Sequence, residues 1–445
     1  RHTSLTDVTG VQPCALPIYT CVGAFADTNY NSCYNRAQLD ARNATLSMDH
    51  SVITSGEATG LFLSGDGLTP LVQNSVFENN SSDDSSNEGS AIQQTTINMQ
   101  PTYNNLSFSG NDRNQVMIPV GALNQDVTIG SAPTGFTCGS NYCPIRPVGP
   151  YTLTIQAGAQ LDLAWSYPIF FLVESGATLN IEGTSDQPVI IQNSSIEFLF
   201  GSHGQISHCD LSGVPGAFTT GLFIKADGVE VNDSTFHNLG RNGVRVWAEQ
   251  NNSISATLTN VDVMNNSQEG IYLETSSGGE LHFSMDGGTV SGNGYSGIRA
   301  SSSAINLTLR NLLIENNGSG STYWYDHQGI HLSAARINPA LENLTINNHP
   351  GSAIYWSCDG SITAKNITAT NNAADAGDQI QLPGCSVTAG REWDLADAGV
   401  PIHVTETINV ESGGILSIAP GTSLGFDATK QLYVKSGGEI GRAHV

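Results

Sequence analysis

Basic residues are scarce in this chain. Only 16 of its 445 residues are Lys or Arg, against 40 Asp and Glu, so the formal net charge is −24. A chain with this balance is unsuited to nucleic acid and to anionic membrane surfaces, both of which attract basic patches. Charged residues of both signs make up only 13% of the sequence. The composition suits a soluble extracellular protein, and we expect no nucleic-acid partner and no membrane segment.

Helical periodicity and metal-binding motifs are also missing. No segment keeps its apolar residues at a 3.6-residue spacing, which argues against a helical architecture. No Cys-x-x-Cys pair and no cluster of His supports a zinc site. An acidic loop with Asp83, Asp84 and Glu88 is a candidate for Ca²⁺, but its spacing matches no EF-hand-like loop. We expect a solvated loop there, and we predict no cofactor.

A repeated phrase dominates what is present. Alternating apolar residues follow an Asn, then come Asn-Asn and, a few residues later, Gly-Ile or Gly-Val. The Gly anchors of this phrase are Gly221, Gly243, Gly270, Gly297 and Gly329, which lie 22, 27, 27 and 32 residues apart. A period in this range indicates a solenoid. Leucine-rich repeats have a similar period, but their Leu-x-x-Leu-x-Leu pattern is absent.

The local pattern within each repeat predicts strands. Apolar and polar residues alternate, as in Val244-Arg245-Val246, and alternation is typical of β-strands. Gly, Asn and Ser mark the corners. A repeat of about 25 residues is long enough for three strands, which stacked coils would pair in parallel about 4.8 Å apart. We therefore predict an all-β solenoid with three short parallel sheets and coils of about 22–32 residues.

From about residue 46 to 438, the repeats resemble the right-handed parallel β-helix superfamily, the fold of pectin and pectate lyases. Two segments, starting at Leu153 and Leu416, further resemble a phrase common in secreted, bacterial-type members. Equivalent glycines of these segments lie 263 residues apart, so we expect a second large repeat from about residue 400 and a sub-boundary near 120–200. The resemblance implies a fold rather than an activity, because lyases, hydrolases, epimerases, adhesins and stalks share it.

Both ends of the chain resemble translated sequencing adapters. We therefore expect residues 1–18 and 439–445 to be foreign to the natural protein. Residues 19–45 would then be a lead-in, and residues 46–438 a single β-helix. The last coil ends without the polar cap that a free solenoid end requires. We expect the natural chain to continue past both ends and to be monomeric.

The cysteines are spaced for disulfides. The candidate pairs are Cys138 with Cys143 in one loop, Cys358 with Cys385 one coil apart, and Cys21 with Cys33. Equivalent positions on adjacent coils lie about 4.8 Å apart, within the range that a disulfide can span. Such bridges favour an extracellular, cell-surface or periplasmic location. Cys209 aligns with the inward Val261 and is predicted to be a buried thiol.

Alignment of the repeats on their Gly anchors predicts which side chains share a face. The outward column reads Phe223, Arg245, Tyr272, Arg299, His331, Tyr355 and Gln381, the next outward column begins Trp247, Glu274 and Ser301, and the inward column reads Val244, Ile271, Ile298, Ile330, Ile354 and Ile380. Aromatic rings stack on sugars, and Arg pairs with carboxylates. We expect this aromatic and cationic face to bind an extended glycan, for example one containing uronic acids. Alternatively, the aromatic side chains only stabilise the outer sheet face.

The longest insertion lies beside this face. Eleven residues separate Asn317 from Gly329, and they include Tyr323, Trp324, Tyr325, Asp326 and His327. Long loops on a rigid scaffold commonly carry function. We expect this loop, with His349 and Trp356 from the following coil, to contribute to ligand binding more than to catalysis. The alternative is an aromatic loop that packs against the side of the solenoid.

Two catalytic schemes fit residues of this face and loop. A lyase would use His331 or Tyr272 as the base and Arg299 as the carboxylate clamp. A hydrolase would need two carboxylates, for which Asp326 and Glu274 are the candidates. The signatures of the epimerases, hydrolases and calcium-dependent lyases of this fold are absent, which weakens the enzyme hypothesis. The sequence therefore predicts a protein that binds polysaccharide, with catalysis open, and a structural adhesin or surface stalk as the competing class.

Overall fold

This computed structural model describes residues 37–56, 58–81, 89–137, 143–163, 169–213, 220–320, 327–357, 360–373, 377–389, 391–395, 398–418 and 423–441. Every element of regular secondary structure in these residues is a β-strand. The chain divides into two compact units, residues 1–194 and 195–445. None of the described segments contains a helix that could cross a membrane.

In the first unit, the strands stack in parallel from coil to coil. Their bounds are β1 Ala37–Arg42, β2 Ser47–Asp49, β3 Val52–Thr54, β4 Thr59–Ser64, β5 Leu71–Gln73, β6 Val76–Glu78, β7 Ser90–Gln94, β8 Thr102–Asn104, β9 Ser107–Ser109, β10 Arg113–Pro119, β11 Gly121–Ala122, β12 Val127–Ile129, β13 Pro133–Thr137, β14 Cys143–Arg146, β15 Thr152–Gln156, β16 Gln160–Asp162, β17 Ile169–Val173, β18 Thr178–Glu182 and β19 Val189–Gln192. One ladder runs through β1, β4, β7, β10, β13, β16 and β19. Each coil adds two further short strands, such as β2 and β3.

The second unit repeats the same plan. Its strands are β20 Ser194–Phe198, β21 His203–Ser207, β22 Cys209–Ser212, β23 Leu222–Ile224, β24 Val229–Asn232, β25 Thr235–His237, β26 Val244–Ala248, β27 Ser253–Thr259, β28 Asp262–Met264, β29 Ile271–Thr275, β30 Glu280–Asp286, β31 Thr289–Ser291, β32 Ile298–Arg310, β33 Leu313–Glu315, β34 Ile330–Glu342, β35 Thr345–Asn347, β36 Ile354–Trp356, β37 Ile362–Lys365, β38 Thr368–Thr370, β39 Ile380–Leu382, β40 Cys385–Val387, β41 Glu392–Asp394, β42 Ile402–Val404, β43 Ile408–Val410, β44 Ile415–Ser417, β45 Leu424–Phe426, β46 Leu432–Val434 and β47 Glu439–Gly441. All their pairings are parallel, as between β26 and β29.

Three ladders can be followed through the second unit. The first ladder contains β22, β25, β28, β31, β33, β35 and β38. The second ladder follows the Gly anchors and contains β23, β26, β29, β32, β34, β36, β39, β42 and β45. The third ladder contains β24, β27, β30, β32, β34, β37, β41 and β44. The 13-residue strands β32 and β34 belong to both the second and third ladders, so these two ladders join into one sheet.

The inward column of the second ladder forms the core, as the sequence predicted. Leu222 pairs with Val244, and the column continues through Ile271 and Ile298. Each of these side chains is fully buried, and burial of one such side chain stabilises the fold by about 1.5–3 kcal/mol. The register offsets in this ladder run from 22 to 32 residues, which confirms the predicted coil length and the all-β solenoid.

The Gly anchors are required by close approach between coils. A Cβ atom added at Gly270 would lie 2.7 Å from the carbonyl oxygen of Gly297 and 2.6 Å from a Val290 methyl group. Gly243 and Gly297 face the same obstacle, with next-coil oxygens at 2.9 and 2.8 Å. Only glycine lets the next coil come this close, which explains why this position repeats.

The cysteine and boundary predictions have mixed outcomes. Cys209 is a free thiol with 2% exposure, and burial raises its pKa, so the predicted buried thiol is confirmed. Cys21, Cys33, Cys138 and Cys358 lie outside the described residues, and the three disulfide pairs stay predictions. Strand β1 lies within the predicted lead-in, and β47 includes the first residues of the predicted C-terminal adapter. The boundaries drawn from the sequence stay predictions as well.

Candidate functional site

The predicted outward column exists in the register of the second ladder. Phe223 pairs with Arg245, Arg245 with Tyr272, and Tyr272 with Arg299. Arg299 then pairs with His331, and the column continues through Tyr355, Gln381 and His403. These positions alternate with the buried inward column, because successive residues of a strand point to opposite faces. We use the name outward column for these residues together with Trp247, which pairs with Glu274 two positions further along the same strands.

The N-terminal end of the outward column is an aromatic platform braced by cations. The rings of Phe223 and Trp247 stack with centroids 6.2 Å apart and planes 9° apart. Lys225 Nζ lies 4.6 Å from the Phe223 centroid, and the Arg245 guanidinium lies 4.6 Å from the same ring. Cations over aromatic faces at this distance contribute about 0.5–1 kcal/mol at exposed sites. Both rings remain partly exposed.

Acidic side chains flank every cation of this platform. Arg245 Nε donates to Glu274 Oε1 at 2.8 Å, and Nη2 donates to the same oxygen. Lys225 Nζ lies 2.9 Å from Glu197 Oε1 and 3.7 Å from Glu249 Oε1. The cationic character expected from the sequence is therefore cancelled locally, because the neighbouring coils place carboxylates on the cations.

Arg299 is compensated in the same way, from a corner rather than from a strand. Its Nη1 donates to Glu269 Oε1 at 3.0 Å, and Asn242 Nδ2 donates to Glu269 Oε2 at 2.8 Å. The Glu269 side chain is only 7% exposed. This arrangement disfavours Arg299 as a clamp for a substrate carboxylate, since its charge is already directed at a nearly buried acid of the protein itself.

Tyr272 lies between the two arginines. The Arg245 and Arg299 guanidinium groups lie 5.7 and 5.6 Å from its ring centroid. Its hydroxyl lies 3.1 Å from Ser301 Oγ, and partial burial raises the pKa of the phenol. A raised pKa keeps the phenol protonated near neutral pH, so Tyr272 is poorly suited to act as the base of an elimination.

His331 is in the predicted column but not on the predicted surface. His331 is only 3% exposed. The imidazole stacks on Tyr355 with ring centroids 4.8 Å apart, and its Nδ1 lies 3.3 Å from Gln328 Oε1. The expectation of an exposed imidazole is corrected: Tyr355 from the next coil lies against the ring. A general base must reach the proton that it removes, and a buried imidazole is poorly placed to do so.

The insertion beside the column is only partly described. Tyr323, Trp324, Tyr325 and Asp326 lie outside the described residues, so their contribution to binding or catalysis stays a prediction. His327 is partly exposed, and its carbonyl accepts a hydrogen bond from Gly351 N–H at 2.9 Å.

Two aromatic residues of the following coil are internal rather than exposed. Trp356 is fully buried, and its ring packs against Trp393 with centroids 4.9 Å apart. His349 is 2% exposed and lies in a hydrogen-bonded column at a corner. Both side chains therefore belong to the interior of the solenoid and not to the ligand-binding surface that the sequence suggested.

The described carboxylates that a hydrolase scheme could use are engaged in local contacts. Glu274 is held by Arg245, and its predicted partner Asp326 is not described. Asp210 and Asp262 share a column on the first ladder with Thr235 between them. Asp210 Oδ1 lies 2.7 Å from His237 Nε2, and Asp262 Oδ1 accepts the Thr289 N–H at 2.8 Å. These acids serve local hydrogen bonds.

The candidate calcium loop with Asp83, Asp84 and Glu88 is not described, and its Ca²⁺ hypothesis stays untested. Across the described segments, no group of three or more His, Cys, Asp or Glu side chains is arranged to hold a metal ion.

Sequence reasoning missed the acids that compensate the column. Glu269 directly precedes the anchor Gly270, and Asn242 precedes Gly243 in the same way. Ser296 and Gln328 occupy this position in the next coils, and all four residues are buried. A repeated polar residue before each anchor was visible in the sequence and could have indicated a buried polar column beside the outward one.

Comparison with known proteins identifies the fold. A family model described as a right handed beta helix region matches residues 174–333 and, in an overlapping range, residues 220–389. These ranges contain the whole outward column up to Gln381. No curated protein and no solved structure gives a significant match to the chain.

Proposed function

Since the chain belongs to the right-handed β-helix superfamily, whose members include polysaccharide-processing and surface proteins, we propose that it binds an extended neutral polysaccharide along the outward column. The fold alone does not decide this, because function depends on the site. The observation that carries the proposal is the row of partly exposed rings, Phe223, Trp247 and Tyr272, on one face of three successive coils. Sugar rings present apolar faces that stack on such side chains.

The charges of the column favour a neutral ligand over a polyuronate. Lys225, Arg245 and Arg299 are each paired with a carboxylate of the protein. The chain as a whole carries a charge of −24, which repels a polyanion at long range. Arg245 uses Nε and Nη2 on Glu274, and a guanidinium has further N–H donors for sugar hydroxyls. The uronate specificity expected from the sequence therefore loses its main support.

The same residues favour binding without cleavage. An elimination would require an accessible base, whereas His331 is 3% exposed and the pKa of Tyr272 is raised by burial. A hydrolysis would require two available carboxylates, whereas Glu274 is engaged by Arg245. We propose a non-catalytic role and a location outside the cytoplasm, at the cell surface, in the periplasm or in the medium. The acidic composition supports this location.

Affinity electrophoresis in gels that contain either neutral polysaccharides or polygalacturonate would test this function. The proposal expects retardation in at least one neutral gel and little in polygalacturonate. Trp247→Ala should reduce the association constant obtained from the retardation by about tenfold, because stacking on the sugar is lost. Tyr433→Ala is the matched control, because Tyr433 is an exposed aromatic residue, 51% accessible, outside the outward column. That variant should bind like the unmodified protein.

Four results would contradict the proposal. Equal binding by the Trp247 and Tyr433 variants would remove the outward column as the site. Preferential, salt-sensitive binding to polygalacturonate would restore the acidic-glycan hypothesis. Absence of binding to every polymer, with an intact β-sheet circular dichroism spectrum, would favour the adhesin or stalk. Release of unsaturated products that absorb in the ultraviolet, or of new reducing ends, would show catalysis.

A further inference from the structure

A column of buried carboxamides runs along one corner of the second unit. Its regular members are Asn266, Asn293, Asn317 and Asn372. The Oδ1 of each member accepts the backbone N–H of the previous one, as from Asn266 N to Asn293 Oδ1 and from Asn293 N to Asn317 Oδ1, both 3.0 Å. The Nδ2 donates to a strand carbonyl of the previous coil, as from Asn317 to Val290 O at 2.9 Å.

His349 takes the place of an Asn in this column. Its Nε2 lies 3.1 Å from the carbonyl oxygen of Ile314, as the Asn Nδ2 atoms lie near the equivalent carbonyls. Its Nδ1 lies 3.3 Å from the Asn317 N–H, where the other members present Oδ1. A neutral imidazole with its proton on Nε2 therefore reproduces both hydrogen bonds of a carboxamide. The residue is only 2% exposed.

Because the residue after His349 is Pro350, this coil lacks a second hydrogen bond that the other coils have. In those coils the residue after the column member donates its N–H to the preceding member's carbonyl, as Gly318 does to Asn293 and Ala373 does to His349, both at 2.9 Å. Pro350 holds the equivalent position and has no N–H. The Asn317 carbonyl oxygen instead lies 3.3 Å from His349 Nδ1.

We propose that His349 is a proton-operated switch in this column. In the neutral state Nδ1 accepts the Asn317 N–H. When a proton from solvent binds Nδ1, that nitrogen becomes a donor and turns to the Asn317 carbonyl, which Pro350 has left available. The Asn317 N–H then loses its acceptor, and a positive charge lies inside the corner. The coil around residues 347–353 is loosened in acid.

The surroundings of the ring set the direction of the effect. Burial lowers the pKa of His349, although its contacts with the Ile314 and Asn317 carbonyls oppose this. The segments around it carry the titratable side chains of Glu315, His327, His331 and Asp378, whereas the ring itself hydrogen-bonds the backbone of Ile314 and Asn317. Because the pKa is lower in the folded chain, the unfolded chain takes up the proton first as pH falls below about 6.5. The contribution of neutral His349 to the folding free energy is fully present above that pH and declines below it.

The switch lies next to the outward column. The corner after His349 leads directly into β36, whose Tyr355 stacks on His331 at 4.8 Å. Loosening this corner would displace Tyr355 and weaken ligand binding at this end of the column. This last consequence rests on the proposed function, whereas the switch itself does not.

Hydrogen exchange measured by mass spectrometry at pH 7 and pH 5 tests the switch without any glycan. After correction for the intrinsic exchange rate, the protection of segments 311–320 and 343–353 in the unmodified protein should fall by about tenfold or more at pH 5. His349→Asn restores the residue used elsewhere in the column and should abolish this fall. His282→Asn is the matched control, since His282 is about half exposed on the third ladder, and it should retain the fall.

Equal protection at the two pH values in the unmodified protein would overturn the switch, as would an unchanged fall in the His349→Asn protein. If that variant does not fold, the histidine resonances of the unmodified protein can be titrated by nuclear magnetic resonance. A His349 pKa at or above about 6.5 would also overturn the proposal. These measurements are made without any glycan. A negative result would therefore refute the switch and would leave the proposal of glycan binding unaffected.

Discussion

At the scale of single residues, Asn serves this fold at two different corners. Besides the buried column, an exposed one runs through Asn311, Asn343 and Asn366, whose φ angles of 54°, 55° and 53° are left-handed. Asn tolerates this conformation better than other residues with a side chain. Each Nδ2 donates to the Oδ1 of the previous coil, and the series ends on Asp286, an acceptor that leaves no unsatisfied donor.

Two substitutions of Asn343 separate the contribution of its side-chain hydrogen bonds from that of its left-handed backbone conformation. Asn343→Ala should lower the free energy of unfolding by about 1–2 kcal/mol, because it loses two side-chain hydrogen bonds and because Ala tolerates a left-handed φ less well than Asn does. Asn343→Gly loses the same hydrogen bonds without the backbone strain and should cost about half as much. Urea titration followed by circular dichroism measures both. Equal costs would show that the backbone conformation is not a source of strain here.

At the scale of elements, the long strands β32 and β34 replace the corner that separates the second and third ladders in other coils. The change of direction within β32 falls on Ser302, an exposed residue with φ of 88°. A residue other than glycine at such an angle costs on the order of 1–3 kcal/mol. The strand is therefore continuous at the expense of local strain at one position.

Ser302→Gly should consequently stabilise the protein, by about 1 kcal/mol, since glycine adopts this conformation without strain. Thr308→Gly, in the regular part of the same strand, should destabilise it by about 0.5–1 kcal/mol. The midpoints of urea denaturation report both changes. Destabilisation by both glycines would contradict the assignment of strain to Ser302.

The strands also show which features of the fold and of the site could be predicted from the sequence. The inward column and the order of the outward column followed from alternation and the Gly anchors, because both are local properties of each repeat. The burial of His331 did not follow, since Tyr355 from the next coil lies against the imidazole. Trp356 lies two residues after the inward Ile354, so alternation already places its indole inside, where it packs on Trp393. The compensation of Arg299 by Glu269 was equally hidden. Contacts between side chains of different coils depend on distances that a repeat pattern does not contain.

At the scale of the whole molecule, the excess of acidic side chains is the dominant electrostatic fact. A net charge of −24 favours solubility but disfavours the folded state through self-repulsion. The partly buried pairs of the outward column, such as Arg245 with Glu274, are screened less by salt than exposed charges are.

Raising sodium chloride from about 0.01 M to about 0.5 M should therefore raise the melting temperature, because the screening length falls from about 30 Å to below 8 Å. Calorimetry at constant pH measures the shift. A parallel series in sucrose controls for solute exclusion, which stabilises proteins without screening charge. A fall in the melting temperature with salt would mean that attractive ion pairs outweigh the general repulsion.

The Gly anchors have a consequence for the evolution of such a chain. Each anchor brings the strand that follows it back to the same position above the previous coil, so an insertion between Asn317 and Gly329 leaves the register of Ile298 on Ile330 intact. A loop can therefore be lengthened, exchanged or grafted in one coil without a matching change in its neighbours. Recombination can alter the surface of this protein one turn at a time while the interior stays the same.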